Sequence, residues 1–313
     1  MKTMKIFRLI LVLAFLALLP AGPARAAENI RVAYPSLNTS VYCLIVAQNE
    51  GYLKEEGLEM QLLSIRGEIA IRSALAASVR GVPVKIVTVF QDKPGWDLIA
   101  LPGIKSIQQL RGGTVGVMSP EGSLAVVARQ ILRQHGLEPG KDVNLVTMGG
   151  DSIRLPALQA KAIQATLFST GMSLQAQKEG FTKLAAAADY ASVIEGGLAA
   201  ANDKIKQNPD KIFRFVRAAV KGVQFFVTKR EAALKTMIDT SRMTDRALAN
   251  AIYDIQSKLT LRTGFSDDKT LQAMINDMIK ITKVQRDIKV GDVFELAFVK
   301  KVNDELKAAG WKP

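Results

Sequence analysis

From residue 28 to about residue 185 the chain repeats one unit: a short apolar strand, a polar turn, then a helix with one apolar face. That alternation allows few folds. Strands separated by helices of this length pair in parallel through crossovers, which need about a dozen residues or more. The clearest copy runs from Leu110 to Gly136. Gly112-Gly113 turns the chain, and Thr114 to Met118 is a strand. Ser119-Pro120-Glu121-Gly122 is a second turn, and Ser123 is placed to cap a helix. Leu124, Val127, Ala128, Ile131 and Leu132 then fall at i, i+3, i+4, i+7 and i+8, one face of that helix. Arg133 suits the last turn, where cations complement the helix dipole, and Gly136 ends the helix.

The other copies follow the same grammar. Ile30 to Tyr34 is a strand closed by Pro35, then Ser36, Asn38, Thr39 and Ser40 make a hydroxyl-rich turn into a helix over Val41 to Asn49. Met60 to Ile65 is a strand, and Glu68 to Val79 reads as its helix. Val82 to Phe90 is almost continuously apolar, the pattern of a strand buried on both faces. Trp96 to Leu101 is a strand closed by Pro102-Gly103. Val143 to Met148 leads through Gly149-Gly150 to a helix capped by Asp151 or Ser152. Ile163 to Phe168 leads through Ser169 and Thr170 to a helix over Met172 to Glu179. From Asn208-Pro209, an N-cap followed by proline at the first helical position, the chain is helical. Its apolar stripes are Ile212, Phe215, Val216, Ala219, Val220, Val223; Leu248, Ile252, Ile255, Leu259; and Leu271, Met274, Ile275, Met278. The expected class is α/β with largely parallel sheets and a helical C-terminal portion. The polar turns all follow strand C-termini, where open α/β sheets bind ligands.

The N-terminus has the composition of an export signal. Lys2, Lys5 and Arg8 precede an apolar run from Leu9 to Leu19, and Ala24-Arg25-Ala26 is an A-x-A site, so cleavage is expected after Ala26. The run is shorter than the about 20 residues that span a bilayer. The four basic residues of 1–26 leave 38 basic against 29 acidic side chains, about +9. In an exported chain this surplus favours an anionic ligand or an acidic partner. The basic residues are scattered and no nucleic-acid motif is present, which argues against nucleic acid. Cys43 is the sole cysteine, so no intramolecular disulfide can form, and it reads as a small buried hydrophobe.

Read together, NEGYLKEEGLEMQLL, RGVPVKIVTVFQDKPGWDLIA, IKSIQQLRGGTVGV with SPEGSLAVVARQIL, VTMGGDSIRLPALQA and GGLAAANDKIKQNPDKIFRFVRA resemble, in that order, the solute-binding proteins of ABC importers. The resemblance is to the branch of nitrate, sulfonate, bicarbonate and thiamine-pyrimidine binders. It implies a two-lobed periplasmic-binding-protein fold (type II-like), each lobe a mostly parallel sheet flanked by helices. Lobe one would hold 28–103 plus 196–313 and lobe two 104–195. The ligand would sit between them, enclosed by hinge motion, and the closed form would dock on an inner-membrane permease. By position the implied ligand residues are Ser36, Asn38, Thr39 and Ser40 in lobe one. In lobe two they are Ser119, Gly122, Ser123, Asp151, Ser152, Ser169 and Thr170. The implied hinge residues are Gln91, Asp92, Gly196 and Gly197. Two departures stand out. Roughly twenty residues, a helix and a short strand, are absent after Gly67, though Glu68 to Val79 alone is long enough for a crossover. Ile163-Gln164-Ala165 stands where the family often carries Val-Asp-Ala.

The expected role is the periplasmic binding component of an importer, taking a small organic anion or heterocycle, acting as a monomer and needing no cofactor. Tyr34, Tyr42 and Phe168 offer stacking surface, and Arg66 and Arg154 could each clamp an acid group, although a salt bridge also suits them. One histidine and one cysteine cannot form a zinc site, and G-x-G-x-x-G is absent. His135 fits a helix C-terminus and shares no motif with a nucleophile. A ligand sensor without a permease, an enzyme on the same scaffold and a paralogue that has lost binding remain open on the sequence.

Overall fold

The computed structural model describes residues 27–65, 71–119 and 122–313. The export segment, Arg66 and the start of the helix expected from Glu68 lie outside the described residues. The first part of the chain gives β1 (Glu28–Tyr34), α1 (Thr39–Asn49), α2 (Tyr52–Glu55), β2 (Leu58–Ser64), α3 (Ile71–Val79) and β3 (Val84–Gln91). The middle gives β4 (Trp96–Ala100), β5 (Thr114–Val117), α4 (Ser123–Gln134), β6 (Asn144–Thr147), α5 (Asp151–Gln159), β7 (Ala165–Ser169), α6 (Thr170–Lys178) and β8 (Thr182–Ala186). Then come β9 (Gly196–Ala201), α7 (Asn202–Gln207), α8 (Pro209–Thr228), α9 (Arg230–Ser241), α10 (Arg246–Leu259), α11 (Asp268–Thr282), α12 (Val290–Val293) and α13 (Ala297–Ala308).

The buried apolar residues separate into two bodies. One core joins Cys43, Leu44, Val79, Ile86 and Phe90 to Val216, Val220, Leu271 and Val299. The other surrounds a five-stranded sheet of order β6-β5-β7-β4-β8. Along β4 and β7 successive residues enter opposite clusters: Leu98, Ala100, Ala165 and Leu167 face α4, while Ile99 and Phe168 face α5 and α6. A sheet buried on both faces requires that apolar continuity. The first crossing between the bodies falls before Trp96, not after Gly103, because β4 pairs on both its edges, with β7 and with β8.

The sheets are mixed where largely parallel sheets were expected. β5 is parallel to β6 and β7, and β1 to β2, but β4 and β9 enter after crossings and pair antiparallel with β7, β8 and β3. In the first body β1–β2 and β3–β9 form two separate two-stranded ribbons. β1 shows its alternate residues Asn29, Arg31 and Ala33 to solvent, whereas Ile30 and Val32 pack on the core.

The cations of α8 hold the β1–β2 ribbon in place. Arg214 pairs with Glu28 at 2.8 Å and donates to the Glu56 carbonyl at 2.7 Å, and Lys211 donates to the Asn29 carbonyl at 2.5 Å. Arg217 reaches Glu56 and Glu305, and Lys221 reaches Glu55 at 2.7 Å. Gly222 lets α8 lie directly on α1: a Cβ there would collide with the Cys43 carbonyl and reach Ala47 Cβ at 2.8 Å. The stripe from Leu271 to Met278 is buried as spaced. On α10 the fully buried residues are Ala249 and Tyr253, and Leu248, Ile252, Ile255 and Leu259 are half-buried. That helix lies at the junction of the two bodies, with Ile252 against Gly171 of α6.

Candidate functional site

Four long helices begin at strand C-termini: α1 after β1, α4 after β5, α5 after β6 and α6 after β7. Their first N–H groups have no partner within the helix. Asn38 caps α1, its Oδ1 accepting from Val41 N at 3.2 Å. The caps of α4 and α5 are Gly122 and Gly150, one position earlier than Ser123 and Asp151, so those two are first-turn residues. Ser169 stands at the cap of α6.

The crossing region brings together several of the expected residues around one that sequence reasoning missed, Gln256 of α10. Its Oε1 accepts from Thr39 Oγ1 and from Gln91 Nε2, each at 3.0 Å, and its Nε2 donates to Thr170 Oγ1 at 2.8 Å. Thr170 Oγ1 in turn donates to the Gly95 carbonyl at 2.7 Å. One amide therefore joins the start of α1 in the first body to the start of α6 in the second. Ser40 Oγ accepts from Gly197 N at 3.1 Å, and a Cβ on Gly196 would meet that hydroxyl at 2.6 Å. The crossing segments pair through Val193 N to the Asp92 carbonyl and Glu195 N to the Gln91 carbonyl, both at 3.0 Å. Asp92 Oδ2 accepts from Ser266 Oγ at 2.6 Å. A polar residue four positions after Ile252, on the flank of an apolar stripe, was the available signal for Gln256.

Glu195, beside Gly196, is a second residue the sequence did not flag. Its Oε1 is buried without a partner among the described residues. Burial pushes the carboxyl up to about 7, and the Arg72 guanidinium on α3 pulls it part of the way back. Arg72 is itself pushed down by burial, with Glu195 opposing.

In the second body Asp151 and Ser169 meet: Ser169 Oγ donates to Asp151 Oδ2 at 2.6 Å. The other carboxylate oxygen pairs with Arg154. Arg154 is 1% exposed and also donates to the carbonyls of Gly149 and Leu167. It fastens the Gly149-Gly150 turn to β7, so neither a ligand clamp nor a surface salt bridge describes it. Ser36, Ser119, Ser123 and Ser152 make no side-chain hydrogen bond with other described residues, and none of them is buried. The stacking expected of Phe168 and Tyr42 does not hold. Phe168 is fully buried between β7 and its helices, and Tyr42 packs on the first core with its hydroxyl on Ser241. Tyr34 is half-buried.

Among the described residues neither the cysteine nor the histidine is paired with a nucleophile or base at these turns. Cys43 is fully buried in α1 and burial raises its thiol, while His135 caps α4 and bonds Tyr190 Oη at 2.9 Å. Among the described residues no group of three or more His, Cys, Asp or Glu could hold a metal.

Two α/β bodies joined by two crossings, with polar helix starts at the junction, define the two-lobed fold of periplasmic binding proteins. The structure resembles the periplasmic sulfonate-binding protein SsuA of Methylobacillus flagellatus KT, a putative sulfonate ABC transporter component (TM-score 0.71, 18% identity, covering 92% of this chain and 98% of that one). It also resembles the desulfurization enzyme DSZB (TM-score 0.63, 15% identity, 89% and 99%). The chain belongs to the NMT1/THI5-like family, whose model matches residues 38–233. The 4-amino-5-hydroxymethyl-2-methylpyrimidine phosphate synthase THI5 of Saccharomyces cerevisiae is 25% identical over 231 residues, which span 63% of this chain and 66% of that protein.

Proposed function

We propose that this protein is the periplasmic substrate-binding component of an ABC importer, capturing a small organic solute between its lobes and delivering it without chemical change. The observation that carries the reading is the Gln256 amide, which ties Thr39 of one body to Thr170 of the other beside paired crossing strands. Closure of such lobes around a ligand is a hinge motion about a few crossing residues. Lobe one would comprise 28–95 plus 196–313 and lobe two 96–195. The hinge lies at Gln91, Asp92, Gly196 and Gly197. The ligand would be met by Ser36, Asn38, Thr39 and Ser40 from one side. Ser119, Gly122, Ser123, Asp151, Ser152, Ser169 and Thr170 would meet it from the other. An export signal ending at Ala26, a monomeric state and a permease partner belong to the same reading. Among the described residues no helix is long and apolar enough to cross a membrane.

The synthase and desulfurization names among similar proteins raise turnover as the second reading. The burial of Cys43 and the pairing of His135 with Tyr190, away from the helix starts, support binding over catalysis. Thermal unfolding with a panel of sulfonates, nitrate, bicarbonate, aromatic carboxylates and pyrimidines tests the proposal. A ligand at a hundred times its dissociation constant adds about 2.7 kcal/mol, roughly 5 °C for a chain of this size. A saturable rise with the compound recovered unchanged is the expected result. Conversion of the compound, abolished by Cys43→Ala or His135→Ala, would instead establish an enzyme.

A further inference from the structure

The large apolar side chains left exposed are not scattered. Among the described residues they are Leu37, Ile65, Val82, Met118 and Ile153, each 36–54% exposed. Four of the five follow strand C-termini, two in each lobe. Leu37 and Ile65 come just after β1 and β2, which pair in register up to Tyr34 and Ser64. Met118 follows β5 and Ile153 lies in the first turn of α5 after β6, and these strands pair up to Val117 and Thr147. Three of these turns, after β1, β5 and β6, also carry hydroxyls that bond no other described residue, those of Ser36, Ser119, Ser123 and Ser152. Val82 alone sits at the opposite end of its strand, before β3.

Two described cations near the junction each face an acid: Arg154 with Asp151, and Arg72 with Glu195. Among the described residues neither of these two cations is left unmatched to hold an anion, and exposed apolar groups of this size gain by burial, about 25 cal/mol per Å².

We propose that the ligand is an uncharged amphiphile, a small molecule with an apolar body lying against Leu37, Ile65, Met118 and Ile153 and a hydroxyl- or amide-like head on the serines. This rests on the binding role proposed above and names the ligand class for that same cleft. It replaces the organic anion suggested by net charge.

The test is calorimetric titration of the protein with two homologous series, 1,2-alkanediols and sodium alkanesulfonates of four to eight carbons, with nitrate alongside. The parent is expected to bind the diols, two- to fourfold more tightly for each added methylene, and more tightly than the sulfonate of equal length. Met118→Ser with Ile153→Ser should flatten that dependence, and Val82→Ser should leave it unchanged. These sites are exposed, so the variants keep their fold. Binding of nitrate or short sulfonates that is tighter than any diol, or independent of chain length, overturns the inference and leaves the binding role standing. A chain-length dependence that survives Met118→Ser with Ile153→Ser, or that vanishes with Val82→Ser, overturns it too. Binding by none of these compounds, with none of the broader panel raising the unfolding midpoint, overturns both.

Discussion

The two lobes solve the same packing problem with different means. In lobe two, five strands share one sheet and both faces are covered, so Leu167 and Phe168, adjacent in sequence, enter different cores. In lobe one, β1–β2 and β3–β9 do not pair, and the outer face of β1 is wet. The connection from β2 to β3 supplies one helix, α3, and among its described residues no strand that could join the two ribbons. Lobe one is held instead by the helical C-terminal portion, through apolar contact of α1 with α8 and through the Arg and Lys contacts of α8. The difference teaches that a sheet lacking a strand can be kept by helices on one face, provided its edge is tied by side chains.

Breaking one contact in each lobe tests that contrast. The largest effect is expected from Arg154→Met, which strips partners from the Gly149 and Leu167 carbonyls and from Asp151. Removing one member of a buried ionic cluster costs about 3–5 kcal/mol, read as a lowered urea midpoint. Gly222→Ala should come next, destabilising lobe one by about 1–3 kcal/mol through overpacking against α1. Arg214→Leu should cost about as much as losing one charged hydrogen bond, about 1.5–3 kcal/mol. Its signature is local, with amide exchange accelerated in β1 and β2 and unchanged in β5 and β7.

Glu195 gives a pH dependence whose sign is fixed. Its folded-state value, about 7, lies above the ordinary 4.5, so the fold favours the protonated acid. The stability this contributes is full below about pH 4.5 and is lost as the pH rises through 7. Each pKa unit corresponds to about 1.4 kcal/mol, so a loss of about 1–3 kcal/mol between pH 4.5 and 8 is expected. Glu195→Gln should flatten that part of the profile. The smallest effect, about 1 kcal/mol, is expected for Gln256→Leu. It should favour the open arrangement of the lobes more than it lowers overall stability, seen as a larger radius of gyration in solution scattering.

Much of this architecture was legible in the sequence because it is local. The strand after Gly113 and the apolar face of the helix up to Gly136 fold as spaced, Pro209 opens α8, and Met274 and Met278 are core. Helix starts were legible because caps and hydroxyls announce them, although the caps of α4 and α5 are the glycines one position before Ser123 and Asp151. What was not legible is set by distant contacts. Gln256 acts on Thr39 and Thr170, 217 and 86 residues away. Arg154 looked like a surface cation because its burial depends on β7, and Phe168 looked available because its covering helices come from elsewhere in the chain. The α10 stripe misled for a related reason: a helix between two bodies is half-buried on two sides, and a one-sided pattern cannot describe it.

The proposed ligand cleft is shared by both lobes, and amide hydrogen exchange reads such a site directly. The protein would be measured alone and with the compound that raises its unfolding midpoint most. Slowed exchange should appear together in the turns of lobe one, 36–41, and of lobe two, 118–119, 122–126, 150–154 and 169–173, with the outer strand β6 unchanged. Protection confined to one lobe, or to surfaces away from these turns, would contradict a binding site between them.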